Sequence, residues 1–389
     1  MKICLYCPVR SDSGGVYRYC VSLIQMFDRF LFREYDITVI APTDMIRDSE
    51  IEHLATIVLE KVNTRPIDKI LDIFLVELRL TSLVSASVSR ELASSNLIVA
   101  PAPDYLIFGN KVRKIITIHD LQHKYLPNNF SILQRLYRDH VYKFFMEHSF
   151  SIICEAEHVK NDIIKFYDID SRRVKIIKTP PILQYSKNAI TVDVSNEIKA
   201  KYSLPDEYVF YPARFWPHKN HIRLIKSLKY IEKNYGKKID LVLVGAQDKQ
   251  WNRIMMQIEE EQMGEQVRYI GFVPQADIPY FYVNSLALVM PSLFESVSMP
   301  IWEAFSLGIP VVASHLPGIE EQTCGAALLF DPLDIEDMAS SIYRICVDKL
   351  LQKQLVDRGT AVIQSMTMSK YAERWAFILG EISRGKKFT

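Results

Sequence analysis

The sequence predicts two doubly wound α/β domains, and three observations lead there. Short Ile/Val/Leu-rich runs alternate with longer amphipathic segments along the whole chain, the pattern of parallel strands joined by crossover helices. At 389 residues the chain is long for one core and suits two domains of roughly 180 residues each. Between residues 179 and 187 both periods fail, and Pro180 with Pro181 stiffens a linker beyond which the alternation restarts. The domains are therefore expected at 1–182 and 183–368.

In chain order, the first domain should hold strands near 2–8, 37–41, 57–59, 96–100, 114–119, 151–154 and 174–177, each a short run rich in β-branched and aliphatic residues. Helices are expected at 15–30, 67–91, 132–147 and 157–167. Ile67, Ile70, Leu71, Phe74, Leu75 and Leu78 recur at the three-and-four spacing of one helical face, which core packing explains better than a membrane contact. The second domain should place strands near 208–212, 240–245, 268–272, 286–290, 310–313 and 327–330. A helix begins near Ser298, an N-cap type, with Pro300 in its first turn and Gly308 then Pro310 closing it. Asp334 caps a further helix, and an apolar-aromatic helix spans about 369–382.

Composition narrows the function. A formal charge of +1 gives no global reason to expect nucleic acid. The N-terminus lacks the h-region and cleavage site of a signal peptide, and no apolar run reaches membrane-spanning length. The six cysteines are scattered and form neither a disulfide framework nor a zinc signature, which fits a reducing cytoplasm. Cys4 and Cys7 read as buried strand residues, and Asp168-Ile-Asp170 as a solvated turn beside Arg172 and Arg173. No Ser/His/Asp triad, Walker loop or Cys/His metal spacing emerges.

Four constellations carry chemistry. Glu295 and Glu303 flank a strand-to-helix turn, Glu295 on the loop and Glu303 near the helix start, so both could converge on one ligand. Unpaired amides at that helix start favour an anion, and carboxylates beside an anion make sense where sugar hydroxyls donate to them. A nucleotide sugar has both kinds of group; a solvated loop acid and a dipole-complementing helix acid are the plainer alternative. Arg214 and Lys219 follow a strand and precede a helix, the ligand edge of an open parallel sheet, and suit a diphosphate whose charge grows as it leaves. The alternative is a solvated basic turn with Trp216 covering the core. Gly14-Gly15 opens the first helix without Cβ obstruction, as a plain glycine turn also would. Thr117-Ile-His119-Asp120 delivers His119 to the same kind of edge, for a sugar contact, a role at the reaction centre or a structural one.

With these residues in place, the chain resembles glycosyltransferase family 4, the retaining transferases of the GT-B fold, nearly end to end. The resemblance rests on Phe294-Glu295-x7-Glu303-Ala304 with Gly308-x-Pro310-Val-Val-Ala-Ser314, on Arg214-Phe-Trp-Pro-His-Lys219-Asn-His, on Gly14-Gly15 and on Ile118-His119-Asp120-Leu-Gln. It implies two Rossmann-like domains facing across a cleft, with a C-terminal helix at about 369–389 returning to an N-terminal, acceptor-binding domain, and a C-terminal domain that binds the nucleotide sugar. It implies that Arg214 and Lys219 hold the diphosphate, Glu303 the ribose, Glu295 the transferred sugar, and that His119 contacts that sugar from the other domain. Gly15 would offer backbone to the phosphate or acceptor, and Phe272 with Val273 would form the rim where the base packs. No cofactor or metal is implied.

The family usually has Glu-Gly-Phe-Gly-Leu-Pro where this chain has Glu295-Ser-Val-Ser-Met-Pro300. Both glycines are serines, which would strain any position needing φ > 0 and alter the sugar pocket. The amides of Ser298 and Met299 remain candidate donor contacts, and Arg10, Tyr17, Arg18 and Lys124 candidate acceptor contacts. The implied reaction is transfer of a mannosyl, rhamnosyl or other hexosyl unit from GDP-mannose, dTDP-rhamnose or a UDP-sugar to a glycan or lipid-linked glycan of a bacterial surface polysaccharide such as O-antigen. Alternatives are an epimerase or phosphorylase of the same architecture, or a non-catalytic binding subunit. The basic runs 111–114 and 172–175 could touch an anionic membrane surface at the cytoplasmic face, although such runs are commonly just solvated.

Overall fold

The computed structural model describes residues 1–59, 86–102, 104–181, 190–248 and 250–384. Its contacts divide the chain into two units: Met1–His123 with Phe130–Ile182 and Met366–Thr389, and Lys124–Asn129 with Leu183–Ser365. Most of the helix expected at 67–91, and most of the linker at 179–187, lie outside the described residues.

The apolar runs of unit 1 become β1 (Lys2–Tyr6), β2 (Asp36–Ala41), β3 (Ala55–Val58), β4 (Leu97–Ala100), β5 (Arg113–Thr117), β6 (Ser151–Cys154) and β7 (Val174–Ile176). They form one parallel sheet in the order β3-β2-β1-β4-β5-β6-β7. Helices cover both faces, so the central strands are apolar on each side: one core layer holds Ile3, Leu5 and Val99, the other Cys4, Tyr6 and Ile98. The first helix, Gly15–Met26, continues as a π-helical stretch Phe27–Leu31. There Asp28 is buried, and its carboxylate accepts the amides of Glu52, His53 and Leu54 at 3.2, 2.9 and 3.1 Å.

The C-terminal helix, Met368–Ser383, belongs to unit 1 and buries Tyr371, Trp375, Ile378, Leu379 and Ile382 in its core. Trp375 meets Phe27 edge-on at 5.6 Å between centroids. Among the described residues no helix is long and apolar enough to cross a membrane.

Unit 2 repeats the architecture with β8 (Tyr208–Pro212), β9 (Asp240–Val244), β10 (Val267–Gly271), β11 (Ala287–Met290), β12 (Val311–Ser314) and β13 (Ala327–Phe330). All are parallel in the order β10-β9-β8-β11-β12-β13. Helix Met299–Leu307 follows β11 and ends at Gly308, whose φ of 70° is the left-handed closure its sequence announces. A longer helix, Lys349–Ser365, lies so close that a Cβ on Gly359 would fall 2.6 Å from Cδ1 of Phe305. After β9, Gly245 packs against the turn that follows β8: a Cβ there would lie 2.8 Å from the Ala213 carbonyl carbon and nearer still to its oxygen.

Candidate functional site

In an open parallel sheet the loops leaving two adjacent strands diverge where the strand order reverses, and a crevice opens at their carboxyl ends. In unit 2 that point lies between β8 and β11. The turn after β8 carries Arg214 and Lys219; the loop after β11 carries Glu295. Topology therefore brings two of the expected groups into contact. Lys219 Nζ lies 2.5 Å from Glu295 Oε1, their side chains only 17% and 12% exposed, and Ser292 Oγ donates to the same oxygen at 2.7 Å. Other bonds tie the loops together. Asn220, at φ 59°, donates from Nδ2 to the carbonyls of Pro291 and Pro332 at 2.9 Å each, Leu293 N donates to His218 O, and Tyr211 Oη donates to Lys219 O.

Arg214 has different company. Its guanidinium sits 5.0 Å from the Trp216 ring centroid and 3.7 Å from Asp248 Oδ2, an oxygen that also accepts Trp216 Nε1 at 2.5 Å. Trp216 is 39% exposed and lies along Arg214 instead of covering the core. Asp248 bears no mark in the sequence, because the partners that give it meaning lie on another strand's loop. Gly245, three residues before it, is the available signal of close backbone approach.

Glu303 does not share the surroundings of Glu295. Helix Met299–Leu307 is buried on nearly every side, so Glu303 is 5% exposed and accepts Tyr282 Oη at 2.6 Å. Ser298 also departs from expectation. Its amide donates to Gln322 Oε1 at 2.8 Å and its carbonyl accepts Gln322 Nε2 at 2.7 Å, so that N–H is already committed within unit 2. Its hydroxyl is buried and makes no cap bond. Neither Ser296 nor Ser298 has positive φ, so the serines that replace the usual glycines carry no backbone strain. Met299 is partly exposed in the first helical turn, and the two expected rim residues differ: Phe272 is 86% exposed, Val273 buried.

In unit 1, the carboxyl ends of β4, β5 and β6 meet at His119. Its Nδ1 lies 3.1 Å from Glu155 Oε2 and its Nε2 2.9 Å from the Pro101 carbonyl oxygen. Tyr19 meets the ring edge-on at 4.7 Å. Burial pulls the imidazole down, but the hydrogen bond and charge of Glu155, the Pro101 carbonyl and Asp120 outweigh it and hold His119 above its ordinary value. The side chain expected to contact a sugar thus has both ring nitrogens engaged by protein. Glu155 could have been found as the residue after β6, since neighbouring parallel strands end side by side.

Gly14 has φ 63° and truly needs glycine, whereas Gly15 starts the helix, and a Cβ on either would meet nothing within 4 Å. Tyr17, expected among the acceptor contacts, lies in the core: it is 7% exposed and its hydroxyl donates to Asp48 at 2.7 Å. Arg10 is exposed beside Asp12 at 3.7 Å, Arg18 is partly buried, and Lys124 opens the segment Lys124–Asn129, grouped with unit 2. The basic runs are largely spoken for. Lys114 is buried, with Nζ donating to Asn110 O and Val112 O; Arg172 grips Asp170; Arg173 donates to Met146 O and Ser149 O at the end of a helix.

Comparisons agree with this architecture. Residues 13–180 match the family model Glycosyltransferase Family 4 and residues 194–362 match Glycosyl transferases group 1. The chain is 23% identical to an O-antigen chain mannosyltransferase B of Escherichia coli over 67% of this chain and 68% of that protein. It is 25% identical to an O-antigen chain mannosyltransferase of Salmonella typhimurium over 59% of this chain and 60% of that one. The match to the second relative thus spans less than two thirds of its length. Among solved structures, Anabaena HepE in complex with UDP-glucose superposes with a TM-score of 0.73 at 17% identity, covering 98% of this chain and all of that one. Sucrose-phosphate synthase from Thermosynechococcus elongatus gives 0.75 at 20% identity over 99% and 100%.

Proposed function

The chain belongs to glycosyltransferase family 4, and from that premise we propose that it moves a hexosyl unit, mannose before rhamnose, from a nucleotide sugar to a growing bacterial surface glycan or its lipid-linked precursor. One observation carries the reading: at the switch point of unit 2, Lys219 and Glu295 stand in contact beside the turn that holds Arg214. This supports the reading because a carboxylate suits sugar hydroxyls and cations suit a diphosphate, and both kinds of group lie at one sheet edge.

In this reading Arg214 leaves Asp248 to take a phosphate bidentately, and Lys219 swings between Glu295 and the leaving diphosphate as a point charge. Neutralisation by these side chains makes a metal dispensable, and the anomeric configuration is retained. Unit 1 supplies the acceptor side, its open Gly14-Gly15 loop offering backbone to the phosphate or acceptor, and His119 contacts the transferred sugar. GDP-mannose is the first donor to test, since both relatives named above are mannosyltransferases; dTDP-rhamnose and a UDP-sugar follow.

The test is a thermal-shift screen against GDP, UDP, dTDP and their sugars, without and with divalent metal, followed by product analysis. Stabilisation by one nucleotide type is expected, about 2.7 kcal/mol at a hundredfold excess over Kd. Stabilisation by none, or wild-type behaviour of both Arg214→Ala and Glu295→Ala with every sugar nucleotide, would remove the basis of the reading.

A further inference from the structure

The His119 ring makes two contacts, and both point to oxygen acceptors. A peptide carbonyl can only accept, and an ionised carboxylate can only accept. A neutral imidazole carries one N–H and one lone pair, so in either tautomer it would set a lone pair against Pro101 O at 2.9 Å or against Glu155 Oε2 at 3.1 Å. Beside an ionised Glu155, only a ring with hydrogen on both nitrogens satisfies both contacts. The other titratable groups facing it are Asp120 on its own loop and Tyr19 from the first helix, the latter bonded to Thr117 Oγ1 at 3.3 Å; neither adds positive charge. The side chains of His119 and Glu155 are 19% and 14% exposed, so the pair is shielded enough to interact strongly.

We propose that Glu155 is the positioning residue for His119, holding it with the Pro101 carbonyl as an imidazolium, so that this edge of unit 1 offers a cationic hydrogen-bond donor and not a base. In the transfer reaction proposed above, on which this last clause rests, His119 then gives up the Pro101 carbonyl and donates Nε2–H to a substrate oxygen. Glu155 keeps Nδ1–H and the charge in place. The direction in which the surroundings move the imidazole agrees with this geometry.

The test does not need turnover. The full chain labelled with 15N-histidine, with His119 assigned by comparison with His119→Asn, should show both ring nitrogens protonated at pH 7.5. The ring should titrate above its ordinary value of 6.5. Glu155→Gln, nearly isosteric but uncharged, should lower that midpoint by at least about one unit, a tenfold change in proton affinity. Glu155→Asp should recover part of it, and Glu157→Gln, an exposed acid two residues on, should change nothing.

The thermodynamic sign follows. A folded-state value above the unfolded one contributes stability that is fully present below pH 6.5 and is lost as pH rises through the folded value, and Glu155→Gln should erase that slope. With a donor in hand, the alkaline limb of kcat should move to lower pH in Glu155→Gln while KM for the donor changes less. A wild-type ring with one unprotonated nitrogen at pH 7.5, or a midpoint unmoved by Glu155→Gln, overturns the proposal whether or not the protein transfers sugar. Normal titration with no activity on any donor would instead sink the transferase reading alone.

Discussion

Gly245→Ala tests how the Arg214 turn of unit 2 is held. The added Cβ would meet backbone, 2.8 Å from the Ala213 carbonyl carbon and 3.2 Å from Arg214 N, where ordinary contact begins at 3.4 Å. Neither neighbour is the free end of a side chain. The Ala213–Arg214 peptide would have to retreat by more than about half an ångström, and Ala213 N is itself bonded to Val244 O at 2.9 Å. The glycine also sits at φ 153°, which side-chain-bearing residues rarely adopt. Overpacking costs about 1–3 kcal/mol and the backbone strain about 1–3 more, so a loss of about 2–6 kcal/mol is expected. For a unit of roughly 190 residues that lowers the unit 2 midpoint by about 4–24 °C. Scanning calorimetry reads the midpoint, and titration with the nucleotide diphosphate found in the screen reads the shifted Arg214 as weaker binding. Gly264→Ala is the control: its Cβ meets nothing within 4 Å and its φ is ordinary, so it should be neutral or gain about 0.4–1 kcal/mol. If Gly245→Ala melts within about 2 °C of wild type, the close approach does not constrain this turn.

Three further outcomes are expected. Ser298→Ala removes a buried hydroxyl that has no partner among the described residues and should leave stability unchanged or raise it by up to about 1 kcal/mol in urea denaturation; a loss above that size would mean the hydroxyl is used. Asp28→Asn turns a carboxylate that accepts three amides into a group that also donates, and should cost about 2–4 kcal/mol in the same assay, with a loss under 1 kcal/mol speaking against a structural role. Burial brings the Lys114 ammonium down to about 8, so from pH 8 toward 10.5 the unfolded chain binds more protons and stability should rise with pH. Lys114→Met should lack that rise, and parallel pH profiles for the two proteins would refute it.

Much of the architecture could be read from the chain because buried parallel strands leave a strong local mark. The run at 151–154 and the helices at 132–147 and 157–167 lie where pattern and caps put them. The site was legible only by loop. Strand ends showed which loops would carry Arg214, Lys219, Glu295 and His119, since a doubly wound sheet leaves few places for a ligand. Which side chains would meet inside those loops was not legible. Asp248, Gln322 and Glu155 gain their roles from partners 24 to 36 residues away in sequence, through bonds that no local period encodes. Tyr17 shows the converse limit: the helix around it was expected, but which face of that helix it occupies was not, and the register turns it into the core.

The return of helix Met368–Ser383 to unit 1 sets an order of events during synthesis. The pocket beside Phe27 is complete by the end of β7 except for Trp375, which comes roughly 200 residues later. At about 5–20 residues per second, unit 1 waits some 10–40 s with that apolar pocket open, long enough for unit 2 to fold in between. The first of the two units to be made is therefore the last to be finished.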